Sequence, residues 1–176
     1  SIFGYRSMVF AMAGIGIVAF IVYGHHMFTS GMSPVLRFVT MVTTMLVAVP
    51  TGIKIFNWLM TLYQGSLVMR THTLWALGFL ITFTLGGISG MFFPVSGLDV
   101  HFHDTYFVVA HFHYVMMGSA LIGFIGGLHH WWPKMTGKLI NDNAGRVAFV
   151  LFFVGYNLTF FTQFMLGSHG MPRRYA

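Results

Sequence analysis

Five apolar runs recur along this chain, at about 7–29, 36–63, 73–94, 105–132 and 147–167. Each is close to the roughly 20 residues a helix needs to cross the hydrocarbon core of a bilayer. In that environment a single segment satisfies its backbone N–H and C=O groups by closing them into a helix. The runs therefore predict an all-α fold, a polytopic transmembrane bundle of about five spans, read as one region over residues 1–176. Composition agrees, because hydrophobic residues make up 56% of the chain and charged residues only 7%, too few charges to cover a soluble domain. The net charge of +6 comes from nine Lys and Arg scattered singly against three acids. Scattered cations exclude the clustered basic footprint of a nucleic-acid partner. The chain opens Ser1-Ile2-Phe3 and stops at Ala176 after a charged motif, so it reads as a fragment of a larger helical subunit.

Five spans place the two ends on opposite sides. With the starting side called A, Arg6, Arg70, Lys134, Lys138 and Arg146 fall at A, and Arg37, Arg173 and Arg174 at B. By the positive-inside rule A is cytoplasmic or its equivalent. On the same alternation His25, His26, Asp99, His101, His103, Asp104, Arg173 and Arg174 gather at B, and His111 and His113 begin the descent from it. Packing histidines placed at random would not segregate in this way.

With no cysteine and ten histidines, any metal must be held by nitrogen or oxygen ligands. His111-Phe112-His113 lies inside the apolar run Thr105–Val115, where imidazoles are expensive and usually functional. Two residues along a helix is about 200° of rotation, so the two rings leave opposite faces. Such a helix offers one axial ligand to each of two flanking hemes, or else two interhelical hydrogen bonds. The adjacent pair His25-His26 at a helix end suits copper or non-heme iron, or an interfacial anchor. Asp104, seven residues before His111, could hold Mg²⁺ with His103 or complement the helix dipole.

Lys54, within Val49-Pro50-Thr51-Gly52-Ile53-Lys54-Ile55, is the one Lys or Arg deep in a span, and Thr51 shares its face. Such an ammonium group marks a proton or ion path or snorkels to the surface. Pro50 and Gly52 weaken the helix there. Arg173-Arg174 could clamp carboxylates or phosphates or bind headgroups as a stop signal. His72, His129 and His130 carry no chemistry that the sequence assigns.

Four ordered motifs, taken together, resemble a known family. They are Gly24-His25-His26-Met27-Phe28-Thr29, Pro50-Thr51-Gly52-Ile53-Lys54, His103 through Tyr114, and Gly170-Met171-Pro172-Arg173-Arg174-Tyr175. From about Phe3 to Tyr175 the chain resembles the second part of subunit I of the heme–copper oxidases, the catalytic subunit of terminal respiratory oxidases. The resemblance implies reduction of dioxygen to water with proton pumping, electrons coming from cytochrome c, with a quinol as the alternative donor. It implies that His25 and His26 ligate copper, His111 the iron of a high-spin heme and His113 that of a low-spin heme. It further implies Mg²⁺ at His103 and Asp104, shared with subunit II, propionate binding by Arg173 and Arg174, and a proton-uptake path through Thr51 and Lys54.

The setting so implied is membrane lipid, other oxidase subunits, and a bacterial plasma membrane or mitochondrial inner membrane. In that family the other low-spin heme histidine, the third copper histidine, its cross-linked tyrosine and a second proton path's acid precede this stretch, so the fragment alone should be inactive. Thr162-Gln163-Phe164 departs from the Pro-Gln-His of many relatives. The rivals are a nitric oxide reductase of the same superfamily and, from another class, a cofactor-free proton-coupled transporter, which would lack heme color.

Overall fold

A computed structural model describes residues 2–174; Tyr175, the last residue of the terminal motif, lies outside them. The regular elements among the described residues are helical: α1 (Tyr5–Val22), α2 (Pro34–Leu46), α3 (Ala48–Leu62), α4 (Thr71–Gly90), α5 (Ser96–Phe102), α6 (Tyr106–Met116), α7 (Ile122–Thr136) and α8 (Asp142–Ser168). A 3₁₀ turn, Tyr23–Met27, follows α1, and a π-helical segment, Met117–Leu121, joins α6 to α7. Among the described residues five stretches are long and apolar enough to cross a membrane: Tyr5–Met27, Pro34–Leu62, Thr71–Gly90, Tyr106–Thr136 and Asp142–Ser168. That is the all-α spanning architecture expected.

Helix ends follow local chemistry more closely than they follow the edges of apolarity. The third span stops at Gly90, short of the apolar edge at 94, and residues 91–94 turn; Pro94 biases the residue before it away from helix. The fifth begins at Asp142, ahead of the apolar onset at 147, because the Asn141 side chain accepts from the N–H groups of Asn143 and Ala144 at 3.1 and 3.2 Å. Such a cap satisfies amides that would otherwise be orphaned. The second is α2 and α3 joined at Val47, just ahead of Pro50, whose missing N–H breaks the ladder.

The chain forms two compact units. One comprises the residues up to Gly65 together with Gly87–His103. Here α1 packs on α3 through polar groups: buried Asn57 donates from Nδ2 to Ser7 Oγ at 2.8 Å and to the Gly4 carbonyl at 3.3 Å. Where surrounding lipid is as apolar as leucine, such bonds join helices more effectively than apolar contact does. Phe10, Ile17 and Phe20 of α1 are exposed, an apolar outer surface proper to a spanning helix.

The other unit comprises Ser66–Gly86 and the residues from Asp104 on. Its center is a stack of aromatic and small residues between α4, α6 and α8. Tyr114 and Ile122 are fully buried, and Tyr114 donates to Asn157 Oδ1 at 2.7 Å. A Cβ added at Gly86 would lie 2.9 Å from the Tyr114 carbonyl carbon, and one at Gly167 would strike the Phe107 backbone. The missing side chains let α4 and α8 approach α6.

Candidate functional site

α6 is capped by Thr105, whose side chain accepts from Phe107 N–H at 3.3 Å. From there the helical period turns His111 toward α4 and His113 toward α8. His111 Nδ1 lies 3.0 Å from the Gly86 carbonyl on α4, and His113 Nδ1 lies 2.8 Å from the Val109 carbonyl of its own helix. The His113 ring also stacks on Phe160 of α8, 4.1 Å between centroids and 17° from parallel. An imidazole whose Nδ1–H donates to a carbonyl presents Nε2 as its metal-binding nitrogen, in fixed tautomer and orientation. The bond to a carbonyl four residues back is not distinctive, since His129 and His169 make it too. The distinctive bond is that of His111, which reaches another helix at a glycine that permits the approach.

Below these rings the helix widens. The π-helical turn at Met117–Leu121 shifts the ladder, and side chains from both neighboring helices donate to carbonyls around it. Tyr156 donates to the His113 carbonyl at 2.8 Å and Thr82 to the Gly118 carbonyl at 2.7 Å, while Ser119 donates to the Val115 carbonyl. Segments of this kind recur at functional sites. The Gly118-Ser119 pair was the only sequence signal of it.

After α8 the chain reverses at Gly170, at a φ of 86°, and returns along the start of α6. Pro172 bridges Thr105, Tyr106 N–H donates to the Met171 carbonyl at 3.1 Å, and Arg173 N–H to the Asp104 carbonyl at 2.7 Å. This fold-back seats the Arg173 guanidinium over Phe112, 5.2 Å from the ring center, between the two histidines in sequence. Arg174 lies 3.6 Å from the Asp104 carboxylate. Asp104 adopts a φ of 55°, a left-handed conformation that Asp tolerates better than most side chains do. The sequence had offered Asp104 a metal or the helix dipole; the arginine partner, far along the chain, was missed. His103 Nδ1 stands 3.9 Å from Asp99. Burial pushes the Asp99 carboxyl above its ordinary value, opposed by His103.

In the other unit the 3₁₀ turn brings the pair together: His25 Nε2 and His26 Nε2 are 3.0 Å apart, with ring centers at 4.2 Å. On a regular α-helix adjacent side chains diverge by about 100°; the tighter turn closes that gap. Two nitrogens each about 2.0–2.1 Å from one metal, at a right angle, stand ~2.9 Å apart, so the pair fits a shared copper. Gly24 rests against Thr40, and Thr44 Oγ1 is 3.5 Å from His25 Nδ1. Among the described residues no group of three or more His, Cys, Asp or Glu gathers as a metal site; the pair offers two nitrogens. On α3 the Lys54 ammonium sits 5.2 Å from the center of the Trp58 ring, and Thr51 lies one turn earlier. A cation over an aromatic face is attracted by the negative face of the ring.

The description Cytochrome C and Quinol oxidase polypeptide I belongs to the family model that matches residues 1–176. The chain belongs to this family. It is 51% identical over 173 residues to cytochrome c oxidase subunit 1 of Bacillus subtilis (strain 168), covering 98% of this chain and 28% of that protein. It is also 51% identical over 174 residues to the subunit of the same name from Cereibacter sphaeroides, covering 99% of this chain and 31% of that protein. Against the subunit from Synechocystis sp. (strain ATCC 27184 / PCC 6803 / Kazusa) identity is 49% over 175 residues, 99% of this chain and 32% of that protein. The chain thus spans about a third of the length of the curated relatives it matches.

Proposed function

We propose that this chain is the portion of a terminal oxidase catalytic subunit in which His111 and His113 would each hold the iron of one of two hemes and His25 with His26 would hold a copper. The complete protein takes four electrons and four protons to reduce dioxygen to two waters, pumping protons as it does so. The observation that carries this reading is α6, where His111 and His113 leave opposite faces and each is held through Nδ1 by a carbonyl. When bound, the hemes and copper supply the one-electron chemistry of dioxygen reduction.

The chain's own residues divide the work. His111 holds the iron of the high-spin heme, His113 that of the low-spin heme, and His25 with His26 holds copper. The carbonyls of Gly86 and Val109 fix the two α6 rings so that Nε2 stays an acceptor for metal. Arg173 and Arg174 bind heme propionates, an assignment that fits the fold-back placing Arg173 beside Phe112. Lys54 carries a proton at Nζ and, with Thr51, belongs to the uptake path, because each electron entering a low-dielectric site needs a compensating proton. Mg²⁺ at His103 and Asp104, shared with subunit II, rests on the resemblance alone, since Asp104 faces Arg174 and His103 faces Asp99.

Cytochrome c is the proposed donor, after the names of the relatives, and the bacterial plasma membrane the proposed location, after their sources. The test is the full-length subunit purified in its complex. The expected result is two hemes and one copper held by that subunit, with oxygen uptake driven by reduced cytochrome c. A colorless, copper-free protein would overturn the proposal.

A further inference from the structure

At the opposite end of the second unit from the fold-back, the starts of α4 and α8 meet the end of α7. Asp142 pins them: its carboxylate accepts from Thr71 N–H and Thr71 Oγ1, each at 2.9 Å, and from Arg146 at 2.7 Å. Around this knot opens a cavity of about 520 Å³ lined by Arg70, His72, His129, His130, Asp142 and Arg146, among others. Two arginines face one aspartate whose charge is already taken up, so the cavity is cationic. Arg70 is exposed and has no acidic partner among the described residues.

A second hollow, about 330 Å³, adjoins the first and runs along α4 and α7. The two share His72 and His130, whose rings meet edge to face at 5.4 Å. Its remaining lining is Ala76, Phe79, Gly123, Gly126 and Gly127, without a charged group. A cationic chamber thus opens into an apolar channel along two spanning helices. Trp131 and Trp132 stand exposed just beyond, followed by Lys134, the aromatic and basic belt of a membrane interface.

We propose that this unit binds one anionic glycerophospholipid, its phosphate between Arg70 and Arg146 and an acyl chain laid in the glycine-lined channel past His72 and His130. Charge selects the headgroup, and the channel distinguishes a lipid from a free phosphate. The site is separate from the histidines assigned to metals and does not rest on those assignments.

The test uses the complete oxidase, stripped of lipid in detergent and titrated with dioleoylphosphatidylglycerol by native mass spectrometry. Dioleoylphosphatidylcholine and glycerol 3-phosphate serve as the neutral-lipid and free-phosphate arms. One tightly held phosphatidylglycerol is expected, with both other ligands weaker. Arg70→Gln should weaken it about fivefold, the effect of one cation near an anionic headgroup. Gly123→Leu fills the channel with only Phe79 near its Cβ, at 3.7 Å; it should weaken phosphatidylglycerol at least as much and leave glycerol 3-phosphate unchanged. Parent-like heme spectra in both variants show that the fold is intact. Equal affinity for glycerol 3-phosphate, affinity unchanged in both variants, or no phosphatidylglycerol held by the parent because other parts of the subunit cover the channel would each overturn the proposal.

Discussion

The histidines of α6 and the His25-His26 pair are built in opposite ways. On α6 each imidazole is oriented by a carbonyl of the chain, 3.0 Å away for His111 and 2.8 Å for His113, and His113 is clamped between the rings of Phe112 and Phe160. At the end of α1 the two Nε2 atoms face each other at 3.0 Å, with Thr44 Oγ1 3.5 Å from His25 Nδ1, and His26 is exposed. A ligand fixed by its surroundings keeps its geometry before the metal arrives. The His25-His26 pair instead gets its geometry from the tight 3₁₀ turn that carries it. The proposed heme ligands on α6 are therefore preorganized by this fragment, whereas the His25-His26 pair would be half of the proposed copper site.

The largest effect that would break this comparison lies in the pair. In the complete oxidase, His25→Asn or His26→Asn should remove most of the copper and cut oxygen reduction by about a hundredfold or more, while the low-spin heme spectrum stays near that of the parent. Full copper and parental turnover by metal analysis and oxygen uptake would return the pair to an interfacial anchor. Next in size is Lys54→Met, in the same unit. The methionine keeps stem length and helix propensity, so anaerobic stopped-flow reduction of the low-spin heme should remain fast while the high-spin heme lags by roughly a hundredfold. Equal rates in variant and parent, or equal slowing of both hemes, would remove Lys54 from the proton path.

The smallest effects sharpen the contrast. Gly86→Ala sets a Cβ 2.9 Å from the Tyr114 backbone, an overpacking that costs about 1–3 kcal/mol and displaces the carbonyl that holds His111. It should lower the thermal midpoint and perturb the high-spin heme band while sparing the low-spin one. Thr44→Val, behind His25, should weaken copper by about tenfold at most. A change of the low-spin band in Gly86→Ala, or a loss of copper in Thr44→Val as large as in His25→Asn, would erase the difference between preorganized and half-built sites.

Much of this was legible in the sequence because it depends on short-range periodicities. The length of the apolar runs announces spanning helices, and two residues of helical rotation separate His111 from His113. What holds those rings was not legible: Gly86 is a glycine among many on α4, and only the packing shows that its missing side chain lets a carbonyl reach His111. The pairing of Arg174 with Asp104 joins chain segments that no local pattern links. Phe164, in the stretch that departs from many relatives, packs against Phe107 and Tyr114 at 5.0 and 5.4 Å and so belongs to the α6–α8 core. His72 and His130 looked like unassigned boundary residues until the folding of α4 against α7 brought their rings to 5.4 Å.

The central claim is that one helix serves two different hemes, and visible with resonance Raman spectra of His111→Ala and His113→Ala in the full-length protein test it most directly. His113→Ala should lose the six-coordinate low-spin signature and keep a high-spin heme that still binds carbon monoxide. His111→Ala should lose the high-spin, ligand-binding signature and keep the low-spin bands. Two variants with indistinguishable spectra, each retaining both hemes normally ligated, would contradict the account.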